Sequence, residues 1–190
     1  MTSHPDTNMV THQLNQPMRI HLTKGKSTLV DAEDYIMLIK WKWHYRGGYA
    51  KRAINKKSDR RSIAMHNQVM DTPKGFEVDH INGDGLDNRK SNLRVCKHQQ
   101  NTWNRKPVTG SSSKYKGVSW QAATGYWKVN IKIDEKQMHI GCFWNEEDAA
   151  RAYNRVAKAL HKEFAKLNPV EDGESPSRIL RSNKRKGKKK

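Results

Sequence analysis

Near the middle of the chain, residues 106–113 read KPVTGSSS, and this break constrains the fold more than any other feature. Proline, glycine and a run of three serines favour a flexible connection over a helix or a strand. A chain of 190 residues suits one medium domain or two small ones, and the break favours two. Each must close around a small core. Hydrophobic residues make up only 34% of the chain and charged residues 29%, so the cores have to be assembled from a few well-placed large side chains. The six tryptophans suit that task, since an aromatic side chain can bury roughly 150–250 Å².

Before the break, residues 1–18 are polar and aperiodic, as expected of a disordered leader. Short strand-like runs follow at 19–22, 43–45, 49–54 and 61–65, separated by Gly47-Gly48 and the polar stretch 55–60. Residues 31–40 read as a short helix with Asp31 as its cap. After the break, 116–120, 126–133 and 137–143 alternate in the manner of strands. A helix follows, with Asn145 as N-cap and Glu146, Glu147 and Asp148 in its first turn, which favours the positive end of the helix dipole. Ala149, Tyr153, Val156, Leu160 and Phe164 recur every three or four residues and predict its buried face. The chain ends in KRKGKKK, residues 184–190, which cannot fold alone. The expected organisation is a leader (1–18), a first domain (19–105), a linker (106–113), a second domain (114–168) and a basic disordered tail (169–190), all within the α+β class.

Charge points to the partner. Thirty-seven Lys and Arg against nineteen Asp and Glu give +18, and the excess runs through the chain. Lysine and arginine displace counterions from a polyanion, the main source of sequence-independent affinity for DNA. A membrane surface would call for a basic amphipathic helix with an apolar face, which is not evident. Cys96 and Cys142 stand far apart in no paired motif, so neither a disulfide framework nor a cysteine zinc site is indicated. No apolar run approaches the ~20 residues needed to span a bilayer, and the first residues lack the hydrophobic stretch of a signal peptide. The expectation is a cytoplasmic protein, a monomer with no small-molecule cofactor.

The chemistry sits in residues 78–104, VDHINGDGLDNRKSNLRVCKHQQNTWN. An Asp-His pair closes a short apolar strand, a Gly/Asn/Asp-rich loop follows, 93–95 reads as a second strand, and 97–104 can form a helix. That order brings Asp79 and His80 near the helix face that carries Asn101. Phosphodiester hydrolysis needs a water activated near neutral pH, and a histidine with an unperturbed pKa near about 6.5 can accept its proton. It also needs a cation beside the developing negative charge, for which Asp and Asn oxygens are hard ligands. DHINGD, DN, SNLR and HQQN, in that order, resemble the HNH nucleases, and specifically the free-standing, phage-type homing endonucleases. HLTKGKSTLVDAEDY, the W-K-W-H segment and AMHNQVM resemble the same family's N-terminal portion.

The resemblance implies a ββα-metal module and cleavage of double-stranded DNA to a 5′-phosphate and a 3′-hydroxyl. It implies His80 as the general base, Asp79 and Asn101 as metal ligands, and Asn92 as the central asparagine that orients the base and the hairpin. Asn101 stands where the family name has histidine, so the implied cation is Mg²⁺ or Mn²⁺. Residue by residue, blander readings remain. Asn82, Gly83, Asp84, Gly85, Asp87 and Asn88 are turn formers, Asn92 could tie a turn, His98 reads as a solvated helix residue and His66 as a packed one. An EF-hand calcium loop is excluded because the terminal Glu is missing. A DNA-binding regulator that keeps the module only as a scaffold is the rival reading.

In the second domain, the middle run places Trp127, Val129, Ile131 and Ile133 on one face and Lys128, Asn130 and Lys132 on the other. The third run adds Gln137 and His139 to the polar face, and Met138 and Ile140 to the core. A basic, amide-bearing sheet face suits the major groove, where Lys meets phosphate or guanine and Asn or Gln reads adenine. SKYKGVSW, GYWKVNIKI, HIGCFWNEEDAARAYNRVAKAL and FAKLN resemble the plant Apetala/ethylene-response-factor domain. The resemblance implies a three-stranded antiparallel sheet packed on one helix. It adds Lys116 and Ser119, at positions where that family commonly has arginine, to Lys128, Asn130, Lys132, Gln137 and His139 as DNA-facing residues.

Overall fold

The structure is a computed structural model describing residues 16–54, 61–107 and 110–173. Most of the expected leader and of the basic tail lies outside the described residues, as do residues 55–60. The chain divides into two compact units between Thr102 and Trp103, ahead of the expected linker. Helix and strand are mixed in both, and among the described residues no helix is long and apolar enough to cross a membrane.

The first unit opens with a hairpin in which β1 (Met18–His21) pairs antiparallel with β2 (Ser27–Val30). The helix Ala32–Leu38 follows. Asp31 stands at its N-cap position but its side chain makes no cap bond. Its carboxylate instead accepts the backbone N–H of Lys90 at 2.7 Å. A three-stranded antiparallel sheet comes next, from β3 (His44–Arg46), β4 (Tyr49–Ala53) and β5 (Ser62–Ala64). The helix Met65–Val69 begins where a strand was expected to continue. Its core gathers Ile20, Leu22, Val30, Leu38, Trp43, Ala50 and Met65, and Trp43 keeps its indole N–H satisfied on Leu38 O at 2.8 Å.

Against this core stands the hairpin of β6 (Glu77–His80) and β7 (Leu93–Cys96), followed by the helix His98–Trp103. Between its strands, β2 docks on the hairpin loop: Leu29 N–H donates to Leu86 O and Asn88 N–H to Leu29 O, each at 2.8 Å. The loop also runs tight against β4, because a Cβ on Gly85 would fall 2.5 Å from Gly48 O and 2.6 Å from the Tyr49 ring. Only glycine leaves that space.

In the second unit, β8 (Val118–Gln121), β9 (Tyr126–Ile133) and β10 (Lys136–Phe143) form an antiparallel sheet in the order β10-β9-β8. The helix Glu146–His161 is capped by the Asn145 side chain, which accepts from the backbone N–H groups of Glu147 and Asp148. Tyr115, Val118, Val129, Ile131, Phe143 and Tyr153 share one core with Ala149, Ala150, Ala152 and Ala157. Two expectations need correction here. Leu160 is 41% exposed and Met138 42%. The buried helix face follows the small residues Ala149, Ala150 and Ala157 with Tyr153, which let the helix approach closely, so Leu160 falls on its rim. Met138 stands opposite Ile131, yet just before a bulge at Ile140 that shifts the pairing from His139↔Asn130 to Gly141↔Val129.

Candidate active site

Alternation along β6 sets the site. Glu77 and Asp79 share one face of the strand and His80 takes the other. Asp79 and His80 are only 5% and 6% exposed, so both polar groups need partners. The Asp79 carboxylate accepts from Arg94 on the facing strand, Nε at 2.9 Å and Nη2 at 2.6 Å, both on Oδ2. The His80 ring meets Asn88 Oδ1 through Nε2 at 3.3 Å. It is flanked by two rings, His66 at 4.9 Å and nearly perpendicular, and Tyr49 at 5.8 Å.

Burial lowers the pKa of His80 below 6.5, against the opposing pull of its Asn88 hydrogen bond and of the charges on Asp79, Asp84 and Asp87. Burial also lowers His66, to about 4, reinforced by His80 and Lys51. Both imidazoles are therefore neutral at pH 7, the state in which a histidine accepts a proton.

Asn92 is buried and ties the loop. Its Oδ1 accepts from Asn82 N at 3.0 Å and its Nδ2 donates to Asp87 O at 2.8 Å, so both ends of the amide hold backbone. The Asp87 carboxylate accepts from Arg89 Nε and Nη2, both at 2.7 Å, and that bond first of all holds its pKa down. On the helix after β7, Asn101 Nδ2 donates to Glu77 Oε2 at 2.6 Å, and His98 Nδ1 lies 2.7 Å from Glu77 Oε1. Glu77 therefore turns the Asn101 amide so that its oxygen points away from the carboxylate. Asp79 and Asn101 would offer a cation one carboxylate and one carboxamide oxygen, which fits a hard ion that keeps several waters. Among the described residues no three His, Cys, Asp or Glu side chains gather as a zinc site would require.

Several residues here escaped sequence reasoning. Glu77 was legible in principle, two places before Asp79 on one strand face. Tyr49 carries no such signal; Arg94, Asn88 and Thr28, whose hydroxyl accepts from Asn88 Nδ2 at 2.7 Å, lie inside SNLR, DN and HLTKGKSTLVDAEDY, but there only Asn88 had a reading of its own, as a turn former.

On the second unit, Ser119 stands opposite Lys128, Asn130 opposite His139, and Lys132 opposite Gln137, so these six share the sheet face away from the helix. His139 Nδ1 lies 3.2 Å from Asn130 Oδ1. Lys132 pairs with Glu135 at 2.6 Å, both highly exposed, a pairing that water screens. Lys116 is placed differently: its ammonium donates to the backbone carbonyls of Trp103 and Arg105.

The sequence of each unit is similar to that of known proteins. Residues 71–102 match the HNH endonuclease family. Protein 3.8 of Escherichia phage T7 is 33% identical over 95 residues, covering 50% of this chain and 78% of that protein. An uncharacterised HNH endonuclease of Acanthamoeba polyphaga mimivirus is 31% identical over 150 residues, 78% of each chain. An ethylene-responsive transcription factor-like protein of Arabidopsis thaliana is 32% identical over 115 residues, 56% of this chain and 44% of that protein. No solved structure matches the chain.

Proposed function

Because the chain belongs to the HNH endonuclease family and carries a C-terminal domain of the AP2/ethylene-responsive type, we propose that it is a metal-dependent, homing-type DNA endonuclease. The observation that carries this reading is the adjacency on β6 of a buried, neutral His80 and the carboxylate of Asp79. In the reaction His80 takes a proton from the attacking water, the water oxygen bonds to phosphorus, and the P–O3′ bond breaks with its electron pair leaving on O3′, which takes a proton from solvent water. The products are a 5′-phosphate and a 3′-hydroxyl. Asp79 and Asn101 hold the cation, Mg²⁺ or Mn²⁺, which when bound supplies charge neutralisation at the phosphate and the leaving oxygen. Asn92 closes the loop that carries the site.

Double-stranded DNA is held by the second unit through Ser119, Lys128, Asn130, Lys132, Gln137 and His139. Lys116 also belongs to this set if its ammonium exchanges its carbonyl partners for phosphate. We take the protein to act as a monomer in the cytoplasm. The rival scaffold reading draws on the Arg94–Asp79 ion pair, which neutralises the proposed ligand. Incubating end-labelled duplex with the protein and Mg²⁺ or Mn²⁺ decides between them. Cleavage leaving 5′-phosphate ends and abolished by EDTA supports the nuclease, whereas binding without metal-dependent cleavage supports the scaffold.

A further inference from the structure

The polar residues behind His80 form a chain whose direction is chemically fixed. Leu86 O, a carbonyl, can only accept, and the Thr28 hydroxyl lies 2.7 Å from it. The single hydroxyl proton of Thr28 is therefore directed there, and its oxygen is left to accept. It does so from Asn88 Nδ2, at 2.7 Å. With its nitrogen turned to Thr28, the Asn88 amide presents Oδ1 to His80 Nε2 at 3.3 Å. An amide oxygen needs a donor, and a neutral imidazole has one N–H.

We propose that Thr28 and Asn88 are positioning residues that fix the tautomer of His80, placing its proton on Nε2 and its lone pair on Nδ1. The relay is sealed: Thr28 and Asn88 both have 0% exposure, so water cannot substitute for either group. The Asn88 backbone is pinned by its N–H to Leu29 O, and the His66 and Tyr49 rings restrict rotation of the imidazole. Thr28 sits on β2, outside residues 71–102 that match the family. The N-terminal hairpin thereby prepares the base for its chemistry. This inference rests on the reading of His80 as general base, but the tautomer can be measured without cleavage.

Two-bond proton–nitrogen NMR spectra of the full-length, nitrogen-15-labelled protein at neutral pH, without DNA or added metal, read the tautomer directly. His80 should give a protonated Nε2 and an unprotonated Nδ1. Thr28→Val, nearly isosteric, should convert this to a mixture of tautomers, and Thr28→Ser, which keeps the hydroxyl, should restore it. In single-turnover cleavage with Mg²⁺, Thr28→Val and Asn88→Leu should slow the reaction roughly 10- to 100-fold, by analogy with the loss of outer-shell partners that orient metal-ligating histidines, with duplex affinity unchanged. A wild-type His80 protonated on Nδ1 overturns the proposal, whether or not any variant folds. So does a folded Thr28→Val protein with both tautomer and rate unaltered. The expected tautomer in a protein that cleaves no DNA upholds the relay and defeats the nuclease reading alone.

Discussion

The two units use buried polar groups differently. The first buries Thr28, Asp79, His80, Asp87, Asn88 and Asn92, all on or beside one loop and the strands that frame it. The second buries Asn104, Ser113, Asn154, His161 and Asn168, and two of these form a clamp: Asn154 Oδ1 accepts from Asn168 N at 2.7 Å, and Asn168 Oδ1 accepts from Lys116 N at 2.6 Å. Its remaining sheet polarity faces outward. Burying a polar group is costly unless it is hydrogen-bonded, so the hydrogen-bonded cluster of such groups beside His80 marks where chemistry is prepared. An outward polar face over an alanine-lined core marks where a surface is prepared. The first arrangement suits bond cleavage and the second suits holding a ligand.

Melting one unit selectively gives the largest expected effect. Gly117 has φ +75°, and a Cβ there would lie 2.3 Å from the Tyr153 ring and 2.6 Å from Asn130 O. Gly117→Ala should cost the second unit about 3 kcal/mol or more. Hydrogen exchange should show β9 amides losing protection while β6 amides keep theirs. Loss of protection in both would mean that the units do not fold independently.

Acid should act on the opposite unit. His66 and His80 are held neutral by burial, with pKa values below the unfolded 6.5. Between the folded and unfolded values the unfolded chain binds more protons, so stability falls as pH falls from 6.5 toward about 4. His66 alone should remove about 2 kcal/mol between roughly pH 7 and pH 5. Exchange of β6 and β7 amides should accelerate over that range, and His66→Phe should flatten the response. An equal loss in β9 would contradict the assignment to the first unit.

Smaller effects belong to the surface. Replacing Lys128 and Lys132 by Ala should reduce the slope of log affinity against log salt by about 0.9 for each phosphate that is no longer neutralised. Over a fourfold change in salt, two fewer neutralised phosphates amount to roughly tenfold in affinity. An unchanged salt slope would remove these lysines from the interface. Asn145→Ala, which deletes a helix cap, should lower stability by about 1 kcal/mol, visible as a modest fall in the thermal midpoint of the second unit alone.

How far the sequence revealed this arrangement follows from the range of the forces involved. The alternation of β9 was legible because each side chain reports its own burial, and Asn145 because a cap acts within three residues. Asp79, His80, Asn92 and Asn101 stood out through order and spacing. β2 was not expected: it is four residues long and buries a threonine as well as a valine, so its pattern lacks a clean apolar face. The burial of Thr28 is explained by Asn88, sixty residues away, and local periodicity carries no trace of that pairing. The rim position of Leu160 and the exposure of Met138 likewise depend on where the helix ends over the sheet and on a bulge, both properties of packing.

A crossed comparison of two full-length variants tests the division of labour most directly. Single-turnover cleavage and duplex affinity are measured on one DNA for His80→Ala and for Lys128→Ala with Lys132→Ala. The account predicts that His80→Ala slows cleavage by about 10²–10⁴-fold with affinity unchanged, and that the double lysine variant weakens affinity while bound DNA is cut at the normal rate. Near-normal cleavage by His80→Ala, or a double lysine variant that cuts slowly but binds as tightly as the parent, would contradict it.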